Sequence, residues 1–566
     1  MKLRLLLASF FVLLSVWPLN AADPARKSDL LLATMQKELD RANRALAQAD
    51  PKPYFVSYSA LDQQQVAMVA VHGALITSLS FHGRTGSVSM RIGSSALDNT
   101  HGTHRSSGLS SEALPLGNDG HAIARTFWRL TDREYHQAAE AYLNAKTSNA
   151  VRAREEDDSP DFSSASPSHH IEEAGGQLTA DQHSWEDRLR RLSGRLRSHP
   201  DVYTSVAMLS IDSGNEYFVS TEGSAVVSPR RMVRLLFEVA TRAEDGMDLF
   251  RAESFQAHSL ESLPDEDYLA AIIDRMGADL EKLRAAPLAE PFDGPALLSG
   301  RASAVFFHEV LGHRLEGQRQ RGDEEGQTFT KKVNQQVLPK FLSVVDDPTL
   351  RELGGAELSG WYGFDEEGVP ASRVAVIQEG VLKDFLMSRL PIRNFDHSNG
   401  HGRSDDTHLP VGRQGNLIVT STYTVSDAEL RQKLLEEIKR QGKTYGLYFE
   451  DIQGGFTLTA RALPQSFQVL PVLVWKVYGD GRPDELVRGV DIVGTPLAAL
   501  EHILVSGDKP AVFNGVCGAE SGRIPVSAAA PALLFSEIEV QRRTKSNNRP
   551  PILPPPSAEA EKQGAK

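Results

Sequence analysis

The sequence predicts an α+β protein of two domains, with a metal-binding helix near their junction. Three observations carry this reading. Strand-like runs are interspersed with a few amphipathic segments of helical period, without the regular strand–helix–strand alternation of a parallel sheet. A chain of 566 residues is longer than one hydrophobic core usually organises. A proline- and glycine-bearing connector, LAEPFDGPALLSG, stands just before an apolar segment that carries two histidines and two glutamates. The expected division is an N-terminal α+β domain with an antiparallel sheet over 23–290 and a C-terminal β-rich domain over 291–543.

The elements follow in order. MKLRLLLASFFVLLSVWPLNAADP reads as a secretory signal over residues 1–22. Lys2 and Arg4 open it, Leu5 to Trp17 form the apolar run, and Ala21 and Ala22 offer a cleavage site. That run is short for a membrane span, and no other stretch reaches membrane length. The expectation is an exported protein, periplasmic or extracellular, with no membrane span in its mature chain. Ser28 or Asp29 is expected to cap a helix, SDLLLATMQKELDRANRAL. Strand character follows in YFVSYSA, QVAMVAVHGALITSLS and, after a turn at Gly83–Gly86, SVSMRIG. TDREYHQAAEAYLNAKT opens on Thr131 and Glu134, a capping-box pair. The polar stretch around 151–175 is expected to be an exposed loop. WEDRLRRLSGRLRS is a helix with Trp185, Leu189, Leu192 and Leu196 on one face. A hairpin is expected across Asp212–Asn215. MVRLLFEVATRA fits either period, and DEDYLAAIIDRMGADLEKLRAA is helical. Further hairpins turn at Glu379–Gly380 and Asp480–Gly481. The tail over 544–566 is proline-rich and expected to be disordered.

The net charge of −13 argues against a general nucleic-acid surface, because no basic stripe is present to displace counterions. The chain has one cysteine, so export would leave Cys517 with nothing to bridge. Gly515, Gly518 and Gly522 surround it, which reads as a loop. A lone thiol there is a liability unless something such as a metal occupies it.

SAVFFHEVLGHRLEGQRQR reads as a buried helix. With His308 at zero, Glu309 falls near about 100°, His313 near about 140° and Glu316 near about 80° around the axis. Polar groups thus share one side of an apolar helix. His308 and His313 are five residues apart, so a regular helix makes them a poor chelate. A π-like widening, or unwinding at Gly312, would bring them together. The residues alone leave two readings open, a metal site and a buried helix with two incidental histidines. Burying two imidazoles and an acid among Phe306, Phe307, Val310 and Leu311 is costly unless they are paired or coordinated. Cys517 would supply a third ligand. Two imidazoles and a thiolate suit zinc, with a fourth position for water. Glu309 would serve as general base, and Glu316 would orient a ligand from behind.

HEVLGHRLEG, followed much later by GVCGAESG, resembles the metal-bearing TldD branch of the TldD/PmbA family of zinc metallopeptidases. The similarity includes VVDDPTL, FDEEGVPA, IQEGVLKDFLMSR, SNGHGR and RQGNLIV. The resemblance implies that His308, His313 and Cys517 bind Zn2+ and that Glu309 is catalytic. It also implies that the DHSNGHGRSDDTH segment, with His401 and Arg403, borders the substrate channel, and it adds Asn416 of RQGNLIV to the tentative candidates. Family members are cytoplasmic and assemble as dimers. The resemblance therefore implies a homodimer or a heterodimer with a PmbA-like subunit, acting on peptides or unfolded polypeptide. Two other classes stay in view, a non-catalytic scaffold stapled by zinc and a thiol hydrolase with Cys517 as nucleophile.

Overall fold

The computed structural model describes residues 24–102, 109–151, 157–172, 178, 180–321, 326–405, 407–461, 466–543, 550–551 and 553. The expected signal segment and nearly all of the expected tail lie outside the described residues. The architecture is α+β, as the patterning predicts, with an eight-stranded and a twelve-stranded sheet in succession.

The first sheet is antiparallel along its long strands, β1 (Pro53–Val71), β2 (Ala74–Ser94), β3 (Thr204–Ser220), β4 (Ala225–Arg242) and β5 (Asp248–Ala257), in the order β2-β1-β3-β4-β5. Successive side chains on a strand point to opposite faces, and each face has its own task. Val56, Tyr58 and Ala60 of β1 pack with α1 (Pro24–Leu46) and α2 (Gly120–Val151). Val233, Leu235, Phe237 and Val239 of β4 pack with α3 (Gln182–Gly194) and α4 (Glu266–Ala285). The alternate residues of β4, Arg230, Met232, Arg234 and Leu236, line cavities on the other face.

Several local expectations are corrected. Helix α1 begins at Pro24, so Ser28 and Asp29 lie inside it rather than capping it. Gly83–Gly86 is not a turn. These residues pair with β1 inside β2, and the chain reverses instead at His72 and Gly73, both at positive φ. Gly86 fits there because a Cβ would sit 2.9 Å from Leu114. Thr131 and Glu134 lie in mid-helix. Thr131 Oγ1 donates back to the Phe127 carbonyl, and Glu134 accepts from Ser110 Oγ. Asp212–Asn215 is paired on both sides within β3 and makes no turn. The 151–175 loop is exposed over only part of its described residues, and it is anchored at its middle. Asp161 is buried against Arg321, and Phe162 is buried between the cations of Arg91 and Arg389.

The second sheet runs through β6 (Phe292–Leu298), β7 (Asn416–Ser421), β8 (Tyr445–Thr457), β9 (Phe467–Tyr478), β10 (Val490–Gly494), β11 (Ile503–Ala519) and β12 (Gly522–Arg542). β6 is therefore a strand inside the expected connector. It pairs with β8 on one side and β12 on the other, and β12–β10–β9–β8–β6 closes into a ring. Closure leaves no free edge around these strands. Helix α5 (Gly300–Val310) packs against β12, β8, β11 and β9. We place the domain boundary, as a proposal, near residue 290, between α4 and β6. Among the described residues no helix is long and apolar enough to cross a membrane.

Candidate metal centre

Helix α5 starts at Ser299, whose Oγ accepts from the Ala302 amide at 3.1 Å, satisfying one of the first-turn donors that have no partner within a helix. Every residue from Ala302 to Val310 is buried. Phe306 meets Phe467 and Phe535 edge-on at 5.7 and 5.3 Å. Each such side chain contributes roughly 1.5–3 kcal/mol on burial, which offsets the cost of carrying His308 and Glu309 inside.

The helix ends where the sequence marks a break. Leu311 leaves α geometry at φ −111°, and Gly312–Leu315 continues as a 3-10 turn. The chain thus unwinds at Gly312 rather than widening into a π bulge. Arg314 steadies the break. Its Nη1 donates to the Glu309 and Val310 carbonyls at 3.1 and 3.2 Å, two of the acceptors a helix end leaves without partners. The two imidazoles then come together with ring centroids 4.9 Å apart.

Cys517 arrives from the other end of the domain. It lies within strand β11 rather than on the glycine-rich loop expected, paired with Ile524 across a tight turn into β12. Its Sγ is 3.4 Å from His313 Nε2, and the donor atoms of His308, His313 and Cys517 all lie within 4.8 Å of one another. Tetrahedral zinc at ordinary bond lengths sets ligand atoms about 3.3–3.6 Å apart. A buried set of two imidazole nitrogens and one sulfur with this span therefore fits that ion with little adjustment.

Charge in the triad is arranged to be displaced by a cation. Burial opposes ionisation of Cys517, yet the charges of His313 and His308 outweigh it and hold the thiol well below its ordinary value. Burial likewise disfavours a charged His313, but Glu316 and Cys517 prevail and push it up to about 10. The two directions together favour a thiolate paired with a charged imidazole. Burial, against the pull of both imidazoles, raises Glu309 above the usual carboxylate range. Its Oε2 is 4.0 Å from His313 Nε2. Gly455 makes room for it, since a Cβ there would lie 2.8 Å from Glu309 Cγ.

Glu316 stands beside His313, on the side away from Cys517. His313 Nδ1 lies 3.1 Å from Glu316 Oε1, and Arg319 Nε donates to Glu316 Oε2 at 2.7 Å. Arg413 was not singled out from the sequence, although it opens the RQGNLIV motif. Fully buried, it sits 3.5 Å from Glu316 and donates to the Cys517 carbonyl at 3.1 Å and to Ser521 Oγ at 2.8 Å. Gln414, next in the chain, donates to the His308 carbonyl at 3.5 Å.

The other candidates lie elsewhere. His401 is buried between Asp346, 3.3 Å away, and Asn399. Asn416 Nδ2 donates to the Asp347 and Leu350 carbonyls. Both brace the loop that carries Arg413. Arg403 stacks on Tyr362 and pairs with Glu366, lining a separate cavity of 170 Å³. The triad itself opens into a cleft of about 590 Å³, walled by β4 and β5 of the first sheet and by β8 and β11 of the second.

Residues 293–542 match the family described as the PmbA/TldA metallopeptidase C-terminal domain. The chain is 28% identical over 239 residues to a metalloprotease of Archaeoglobus fulgidus, spanning 42% of this chain and 51% of that protein. It is 26% identical over 357 residues to a metalloprotease TldD homolog of Haemophilus influenzae, spanning 62% and 69%. A zinc metalloprotease TldD homolog of Saccharolobus solfataricus is 24% identical over 248 residues, spanning 44% and 51%. Thus the chain spans about half the length of two of these relatives. The fold is shared with TldE from Thermococcus kodakarensis, with a TM-score of 0.58 at 12% identity, covering 90% of this chain and 100% of that one. It is also shared with a Thermotoga maritima protein, with a TM-score of 0.59 at 16% identity and 89% and 99% coverage. These relatives are of the cytoplasmic type, which corrects the expectation of export. That expectation rested wholly on an apolar N-terminus outside the described residues.

Proposed function

We propose that the chain, whose residues 293–542 match the PmbA/TldA metallopeptidase C-terminal domain and which is similar to TldD homologs, is a zinc-dependent peptidase acting on peptides or unfolded polypeptide. The observation that carries this reading is the convergence of His308, His313 and Cys517 to within 4.8 Å in a buried pocket. These three residues would hold the ion. Zinc, when bound, supplies Lewis acidity toward a carbonyl and acidifies a water. Glu309 is the general base of the proposal. Its burial keeps the carboxylate basic enough to take a proton from water and pass it to the departing amine. Glu316 fixes the tautomer of His313 by accepting from Nδ1, so that Nε2 faces Cys517. Arg413 ties that same carboxylate to the backbone of Cys517, which holds two donors from distant segments in one frame.

Substrate selection by backbone fits the cleft. Residues 512–519 of β11 pair with β12 on one side, and no described strand covers their other edge. An extended peptide laid there would be held mainly through its main chain, hence with broad selectivity. A homodimer or a heterodimer with a PmbA-like subunit belongs to the same proposal. It is supported by the fold shared with a TldE, and the exposed Ile76, Leu79 and Phe81 of β2 offer an apolar surface for a partner.

The decisive experiment is Glu309→Gln, assayed for zinc content and for cleavage of unfolded polypeptide. Retained zinc with activity lowered about 10²–10⁴-fold supports the assigned role, whereas undiminished activity refutes it. The thiolate–imidazolium pair favours one second reading, a thiol hydrolase. That enzyme would survive chelation but not alkylation of Cys517.

A further inference from the structure

Two arginines from different walls of the cleft share its lining without an ion-pair partner within 4.0 Å among the described residues. Arg234 stands on β4, on the face turned away from helices α3 and α4, and Arg523 stands at the start of β12. Both line the 590 Å³ cleft together with His308, Glu309, His313 and Cys517. Arg523 pairs across the hairpin with Gly518, the residue after Cys517, and its backbone N–H donates to Asp405 Oδ2 at 3.4 Å. Arg234 is held in place by its Nε, which donates to Ser254 Oγ on β5 at 3.1 Å. Its two terminal nitrogens have no hydrogen-bond partner among the described residues. Neither arginine makes an ion pair with a described acid, and the Arg523 guanidinium is exposed to the cleft.

This is an unusual way to leave two cations. The other two arginines lining the cleft are matched: Arg301 pairs with Glu253 at 2.9 Å and Arg319 with Glu520 at 2.8 Å. Burial first, and the charge of Arg523 besides, lower the pKa of Arg234 against an opposing pull from exposed Glu238. Two guanidiniums that repel each other in a partly desolvated cleft gain stability when an anion settles between them. The planar fork of arginine matches a carboxylate in particular.

We propose that Arg234 and Arg523 form a clamp for a carboxylate of the peptide substrate, next to the scissile bond. The inference rests on the peptidase reading and gives it a substrate class: peptides that place a negative charge a short step from the cleavage point. Two sources have the required chemistry, an acidic side chain and the free carboxylate of the peptide C-terminus. The backbone edge of β11 would hold the chain, and the clamp would set its register along that edge.

The test separates this inference from the activity on which it rests by measuring binding without turnover. Zinc-loaded Glu309→Gln chain is titrated with fluorescent peptides of one neutral sequence. One bears a free C-terminus, one an amidated C-terminus, and an amidated series carries a single Asp at successive positions. The expected result is at least about tenfold tighter binding for one carboxylate-bearing arm than for the amidated neutral peptide, weakening as salt rises. Preference for the free C-terminus assigns the terminal carboxylate, and preference for one Asp position assigns the side chain.

Adding Arg234→Met and Arg523→Met should bring that affinity ratio toward one, and Arg234→Lys should restore part of it. Zinc content is read on every variant, so that a misfolded chain is recognised. Equal affinity for all peptides, no peptide binding, or a preference that survives both methionine substitutions overturns the clamp. Cleavage by the chain with Glu309 intact judges the peptidase reading separately.

Discussion

Cys517 Sγ lies 3.4 Å from His313 Nε2, although 204 residues separate the two in the chain. The contact joins the end of α5 to the hairpin of β11 and β12, and the peptidase reading depends on it. Cys517→Ala is expected to abolish stoichiometric zinc binding, as is His313→Ala. The loss should exceed the roughly 10–100-fold that removal of a ligand's supporting partner costs. Metal analysis of the purified variants checks this, and zinc equal to that of the unaltered chain would remove Cys517 from the ligand set.

Arg413 touches neither imidazole yet reaches both sides of the site, through Glu316 and the Cys517 carbonyl. Arg413→Met should weaken zinc affinity about 10–100-fold and leave Glu316 less well opposed. Competition against a chromophoric chelator measures it. Arg413→Lys keeps the charge but not the fork, and should recover only part of the loss.

Gly312 has ordinary backbone angles, so its requirement is spatial. A Cβ there would lie 1.9 Å from Gln414 Oε1 and 2.3 Å from Gln414 Cδ. Gly312→Ala must push Gln414 away from the His308 carbonyl. Overpacking of this kind costs about 1–3 kcal/mol, read as a lower urea midpoint. Zinc affinity should fall with it, because the displaced residue adjoins His308.

Glu366 gives a pH signature remote from the metal donors. Burial foremost, against the pull of Arg403, raises its carboxyl to about 7. Between the unfolded value near 4.5 and this one, the folded chain holds the extra proton. Stability therefore falls as pH rises through that window. The side chain is 27% exposed, so the discounted swing is on the order of 1–2 kcal/mol. Unfolding followed from about pH 4.5 to about 7.5 should show the decline, and Glu366→Gln should make it shallower. The buried neighbours Asp365 and Glu367, both raised as well, supply the rest. An identical slope in the variant would exclude Glu366 as its source.

Much of this was legible in the sequence because it is local. The helical spacing of Trp185, Leu189, Leu192 and Leu196, and the turns at Glu379–Gly380 and Asp480–Gly481, follow from periodicity and φ preference. The candidate donors were legible too: two imidazoles, one thiol and an adjacent carboxylate are residue types that suit zinc, although the residues alone left a buried helix with incidental histidines open. Errors arose where a glycine or polar pair suits a turn as well as a long strand. Gly83–Gly86 and Asp212–Asn215 read as turns, but both are paired within strands. The same reasoning misplaced Cys517 on a loop.

The sequence by itself determined the fold class and the buried character of α5, since each depends on residues close in the chain. Only the tertiary structure decided that His308 and His313 converge through a 3-10 turn steadied by Arg314, and that Cys517 is the third donor to reach them. It alone revealed Arg413 joining the two halves, and Arg234 and Arg523 sharing the lining of one cleft. These are contacts between segments brought together by the closing of the ring and by the packing of one sheet against the other. Residue spacing along a chain carries no record of them.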